Sequence, residues 1–200
     1  NWGGAALDPT TNRLYLRTTE GTTSNQVCQT DPDLPDVDVA YTNNCPRGAA
    51  AGIFRGRPGA AAVARSRLGP IPLVKPPYAR LVAIDLETGD IAWRVPFGEG
   101  SALVRRHPLL RDADLPDRLG TPGNNGLMVT GGGLVFIGGG DPYLYAFDAA
   151  TGREVSRVAT EFRTSGNPVT YRARSGRQFI LMATGAGPDA SLVAFALPEE

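Results

Sequence analysis

From residue 126 onward the chain alternates between short apolar runs and glycine-rich breaks. GLMVTGG, LVFIGGG, YLYAFD and REVSRVAT are four such runs, separated at Gly131–Gly133, Gly138–Pro142 and Ala149–Gly152. β-Branched, aromatic and aliphatic residues in runs of this length, bounded by Gly, Pro, Asp and Asn, predict strands. GNPVTYRARSG, RQFILMATG and SLVAFALP predict three more. At the other end, GGAALDPTTNRLYLRTTE (3–20) predicts two strands around the turn from Asp8 to Asn12. No long stretch carries a helical period.

Two segments follow one template. Residues 81–93 read LVAIDLETGDIAW and residues 144–156 read LYAFDAATGREVS, with a partial copy, LVAFALP, at 192–198. Each full copy leads from apolar residues into Ala-x-Asp, then Thr-Gly. The carboxylates of Asp85 and Asp148 are expected to turn back onto the amides that follow, and Gly89 and Gly152 to supply a positive φ. Trp93 closes the first copy and would pack a large ring on a neighbouring unit. Ser156 stands in its place in the second and cannot. One such turn alone would be an ordinary surface feature; two, flanked by the same kinds of strand, indicate stacked repeats. A unit of four strands is one propeller blade. The expected fold is therefore all-β, a partial β-propeller of about three four-stranded blades, with residues 1–200 forming the C-terminal part of one propeller domain. The last unit is one strand short, and in a closed ring that strand comes from elsewhere in the chain, which removes a free edge.

Two regions break the pattern and read as insertions, 21–77 and 99–125. Loops of that length in a small β-protein are usually functional or mobile. With 25 Gly and 17 Pro the chain is rich in turns, and Lys plus Arg equals Asp plus Glu at 20 each. No net field favours nucleic acid or an anionic membrane. The chain has neither a transmembrane run nor a signal-peptide pattern, and starting at Asn1 it is expected to be the C-terminal portion of something longer. Cys28 and Cys45 lie in a polar loop; a disulfide between them is expected, which would contribute about 3 kcal/mol and require an oxidising compartment. The alternative is two free thiols. His107, the lone histidine, sits in a loop beside Arg106 and Pro108 and reads as a surface residue. The triplets Gly131–Gly133 and Gly138–Gly140 precede no helix, so they are not phosphate loops.

Five segments, NWGGAALDPTTNRLYL, LVAIDLETGDIAWRVPFGEG, LGTPGNNGLMVTGGGLVFIGGGDPYLYAFDAATGRE, SGNPVTYRARSGRQFILMATGAG and LVAFALP, resemble in order the C-terminal part of pyrroloquinoline-quinone (PQQ)-dependent dehydrogenases. The likeness is strongest to the membrane-bound glucose and quinate dehydrogenase branch. It implies an eight-bladed quinoprotein propeller with the quinone near the ring axis. It places Asn1 against the quinone oxygens, which suits an amide that can donate to an oxygen gaining charge on reduction, with Trp2 beside it. It implicates Asn124 and Asn125 before the Gly-Gly-Leu-Val-Phe strand, and Gly185, Gly187 and Pro188 after the RQFILMATG strand. Alcohol-oxidising relatives stack a Trp on the ring near residue 124; its absence here fits a sugar or polyol branch, or else a weakened site. The family's calcium ligands and general-base aspartate match no segment here and are expected upstream, in the rest of the propeller. The resemblance further implies a sugar or polyol substrate, ubiquinone or a cytochrome as electron acceptor, and a periplasmic site, with any inner-membrane anchor upstream. The competing reading is a non-catalytic propeller that binds proteins, like outer-membrane assembly scaffolds.

Overall fold

The computed structural model describes residues 3–21, 27–30, 39–42, 69 and 71–198. Thirteen strands form among them: β1 (Ala5–Asp8), β2 (Arg13–Thr19), β3 (Cys28–Gln29), β4 (Tyr41–Thr42), β5 (Ala79–Asp85), β6 (Ile91–Pro96), β7 (Leu127–Val129), β8 (Leu134–Gly138), β9 (Tyr143–Asp148), β10 (Glu154–Ala159), β11 (Thr164–Arg172), β12 (Gln178–Thr184) and β13 (Ser191–Phe195). They make a four-stranded sheet in the order β1-β2-β5-β6, a second in the order β7-β8-β9-β10, a third of three strands, β11-β12-β13, and a two-stranded ribbon, β3-β4. Every pairing is antiparallel. This is the expected count of four, four and three. The 21–77 excursion interrupts the first sheet between its second and third strands and carries the small ribbon.

The template turns behave as their sequence requires. Asp148 Oδ1 accepts from the Thr151 amide at 2.8 Å and from its hydroxyl at 2.7 Å, and Gly152 N donates to the Asp148 carbonyl at 2.8 Å. Asp85 Oδ1 likewise takes the amide of Glu87 at 2.9 Å. The Thr151 side chain, first among the causes, holds the Asp148 carboxyl below its ordinary range, and Thr10 does the same for Asp8.

Alternation of strand direction sorts the connections onto two rims. Short turns (9–12, 86–90, 130–133, 149–153, 173–177) fall on one, here the turn rim. The entry into β1, the points where the 21–77 excursion leaves and re-enters the sheet, the 99–125 excursion, the 139–142 turn, residues 160–163 and the 185–190 turn all fall on the other, the loop rim. The main core lies between the first two sheets and includes Tyr15, Leu81, Phe97, Ile137, Tyr145 and Phe147. The second excursion is more ordered than its composition suggests. It holds a one-turn helix (Ala102–Arg105) capped by Ser101 and a 3-10 turn (Pro108–Leu110). Buried Val104 and Leu119 pack with Tyr78 into a small core of their own.

Candidate functional site at the loop rim

The innermost strands of the three sheets, β1, β7 and β11, begin side by side at the loop rim. A side chain on Gly3 would fall 2.6 Å from the Asn124 carbonyl oxygen. One on Gly126 would fall 2.2 Å from both the Gly3 carbonyl and Asn167 Oδ1, so only glycine lets these backbones meet. Gly126 N donates to Asn167 Oδ1 at 2.7 Å. Asn167 lies where the register of β11 against β12 shifts, between Ser165 and Val169. Gly and Pro on either side of it produce that bulge, a device that re-aims side chains near functional sites.

Thr164, buried at the start of β11, ties this point to the second sheet. Its carbonyl accepts from Asn125 Nδ2 at 3.1 Å, its amide donates to the Asp141 carbonyl at 2.9 Å, and its hydroxyl accepts from Gly140 N at 3.1 Å. Because Asn125 Nδ2 is engaged, Asn125 Oδ1 is the atom left over, with no hydrogen bond among the described residues. Asn124 is exposed.

Behind the rim, Arg17 at the end of β2 clamps the same segment. Its Nη2 donates to the Thr121 carbonyl and, at 3.1 Å, to that of Gly139, and its guanidinium lies over the Phe97 ring at 4.9 Å from the centroid. Burial lowers the Arg17 pKa to about 10, against the opposing pull of Asp141. Burial raises the Asp141 carboxyl, while one of its oxygens accepts from Tyr145 OH at 2.7 Å. Burial and then the Asp141 contacts raise the Tyr145 phenol, so it stays a donor. Among the described residues, Arg17 Nε, Arg17 Nη1 and Asp141 Oδ1 are buried without a hydrogen-bond partner.

The sequence-predicted residues sort accordingly. Asn124 and Asn125 are at the convergence point. Gly185, Gly187 and Pro188 lie on the same rim, with Gly185 N donating to the Arg163 carbonyl at 2.9 Å and Pro188 exposed in the 3-10 turn Gly187–Asp189. Asn1 and Trp2 fall outside the described residues, as does Cys45, and with it any bridge to Cys28. His107 caps a turn, its Nδ1 accepting from Leu109 N at 3.3 Å. Asn167, Thr164 and Arg17 carried no prediction. Of these only Asn167 had a local signal, a Gly-Asn-Pro inside a strand-like run.

Residues 1–180 match the family model for the glucose/ethanol/alcohol dehydrogenase β-propeller domain of the PQQ group. The chain belongs to this family. Over its whole length it is 34% identical to a probable quinate dehydrogenase (quinone) of Xanthomonas campestris pv. juglandis, of which it covers 26%. It is 30% identical over 92% of its length to the quinate/shikimate dehydrogenase (quinone) of Acinetobacter baylyi, covering 23% of that protein. The glycerol dehydrogenase large subunit of Gluconobacter thailandicus is 36% identical over 62% of the chain and is 17% covered. The quinohemoprotein alcohol dehydrogenase of Comamonas testosteroni superimposes with a TM-score of 0.54 over 92% of the chain and 22% of its own length, at 22% identity, a likeness of fold. The chain thus spans about a quarter of the length of the first two of these relatives. The non-catalytic scaffold reading is not supported, since the matched model and these relatives are dehydrogenases.

The family is one of PQQ-dependent dehydrogenases. The polar groups of the loop rim include the amide of exposed Asn124, whose N–H can donate to a carbonyl or carboxylate oxygen, and Asn125 Oδ1, which can accept from a hydroxyl. Among the described residues no group of three His, Cys, Asp or Glu is placed to hold a metal ion, so no metal ligand is assigned here.

Proposed function

We propose that this chain forms one wall of the cofactor and substrate site of a PQQ-dependent dehydrogenase acting on a polyhydroxylated small molecule, a sugar, polyol or quinate-like hydroxy acid. The supporting observation is the meeting of three innermost strands at the loop rim, with the amides of Asn124, Asn125 and Asn167 gathered there in a chain of this family. When bound, the quinone supplies the two-electron acceptor that lets a substrate carbinol become a carbonyl. The chain's own residues position the reactants. Asn125, held by the Thr164 carbonyl, presents Oδ1 as an acceptor for a substrate hydroxyl. Asn124, with Asn1 and Trp2 close by in sequence to Gly3, offers donors to the quinone oxygens. Gly185, Gly187 and Pro188 border the same space. Calcium or a lanthanide, the general base and the route onward to ubiquinone or a cytochrome belong to the rest of a periplasmic protein.

The test uses the intact gene product, loaded with PQQ and either calcium or a lanthanide. Dye reduction is followed with quinate, glucose, glycerol and 1-butanol. Turnover with one or more of the first three supports the reading. Bound quinone, seen by absorbance, with no turnover on any of the four overturns it.

A further inference from the structure

Asn167 has a hydrogen-bonding arrangement that a purely structural role leaves half used. Its Oδ1 accepts from Gly126 N at 2.7 Å, and an amide N–H can be accepted only by oxygen, so the orientation of this carboxamide is fixed. The Nδ2 group is therefore the free end. It has no partner among the described residues, and the side chain is exposed at the start of the innermost strand of its sheet. The bulge between Ser165 and Val169 sets this residue out of the regular ladder, and buried Pro168 fixes the chain immediately after it. Pinning Gly126 needs one acceptor oxygen, which Asp would also supply. Asn adds a neutral donor.

We propose that Asn167 is a ligand-contacting residue of the loop rim, its Nδ2 donating to a carboxylate or carbonyl oxygen of the bound quinone. This rests on the functional reading above and extends it to a residue that ties the entry of β7 to β11 while touching the cofactor.

Asn167→Asp separates the two roles, because it retains the oxygen for Gly126, removes the N–H donor and adds a negative charge. The intact gene product is prepared without quinone and titrated with PQQ, with tryptophan fluorescence as the readout; melting is followed in parallel. The expected result is a melting temperature near that of the wild type and a loss of about tenfold or more in PQQ affinity. The deficit relative to wild type shrinks as the pH falls toward about 4, where the carboxyl regains an O–H donor. Should the added charge unfold the rim, the neutral Asn167→Ser is titrated instead, with the same loss expected. Equal PQQ affinity of a folded variant and the wild type overturns the proposal and leaves the dehydrogenase reading standing. A wild type that binds no PQQ overturns both.

Discussion

Among the described residues, the seam between the first and second sheets is fastened along its whole height, whereas the seam between the second and third is fastened only at the loop rim. On the turn rim of the first seam, the Trp93 indole donates to the Ala149 carbonyl at 3.0 Å and lies 5.8 Å from the Tyr15 ring. Tyr15 OH and Arg13 Nη1 donate to the neighbouring carbonyls of Ala149 and Ala150 at 3.1 and 3.2 Å. Gly152 leaves room for the indole: an added Cβ would sit 2.6 Å from the ring, and its φ of 73° suits only glycine. At the outer edge, Arg118 pairs with Glu154 at 2.6 Å, and Arg157 with Glu99. The second seam holds at the loop rim through Thr164 and through Met182, whose Sδ-methyl packs against Gly138. At the turn rim it opens into a cleft of about 1030 Å³ lined by Leu134, Phe136, Ser156, Val158, Ile180 and Phe195, among others. Ser156 stands where Trp93 stands one sheet earlier. Leu197, the counterpart of Ala149, already receives Arg177 Nη2 on its carbonyl at 2.8 Å. The residue difference at this template position removes the indole lock from the second seam.

Substitutions in the intact gene product, followed by denaturant titration, sharpen or break this contrast. Trp93→Ala is expected to cost about 3 kcal/mol, from a large ring lost at a packed junction. A loss below about 1 kcal/mol would mean the first seam is no tighter than the second. Arg17→Met leaves the Thr121 and Gly139 carbonyls without their donor and Asp141 without a nearby cation, for about 2 kcal/mol. The double variant Arg17→Met/Asp141→Asn should cost less than the sum of the two single changes, a coupling that a double-mutant cycle detects. Ser156→Trp is expected to stabilise by about 1 kcal/mol by filling the cleft. It should do less than Trp93 does, since the matching carbonyl is occupied; destabilisation would mean the cleft is not a vacant ring slot.

The smallest effects are pH-dependent. The Asp148 carboxyl lies below its ordinary value of 3.8 in the folded chain, so its contribution is full above that value and disappears as the pH falls through the lowered one. Asp148→Asn should therefore lag the wild type at neutral pH and converge with it in acid. Asp141 is shifted the other way, so its ionisation costs folded-state stability as the pH rises from 3.8. The stability difference between Asp141→Asn and the wild type should tilt toward the variant over that range. A flat difference in either case would remove the electrostatic account.

What was legible in the sequence follows from how local each signal is. Strand number, sheet membership and template turns came from short apolar runs and a thirteen-residue template, and the structure matches them at Asp85, Asp148 and Trp93. By the same spacing, Ser156 falls at the Trp93 position and has no ring to do what Trp93 does. Arg17 was not legible: its partners Thr121 and Gly139 lie 104 and 122 positions away, and a lone arginine in a strand has no pattern to betray it. Thr164 likewise acts through Asn125, Gly140 and Asp141, which only folding brings near. The second excursion read as irregular because its small core uses Tyr78, Val104 and Leu119, spread over about forty residues with no period.

The sorting of connections has a practical bearing on change. Lengthening or swapping a loop at one end of this arc touches neither the Asp-Thr-Gly turns nor the indole lock at the other. The loop rim nevertheless carries two duties on one surface, the proposed site and the Thr164 and Met182 contacts that fasten the second seam. A graft of the 99–125 segment from a polyol-specific relative would therefore have to keep Glu99, Arg118 and Thr121, which hold Arg157, Glu154 and Arg17.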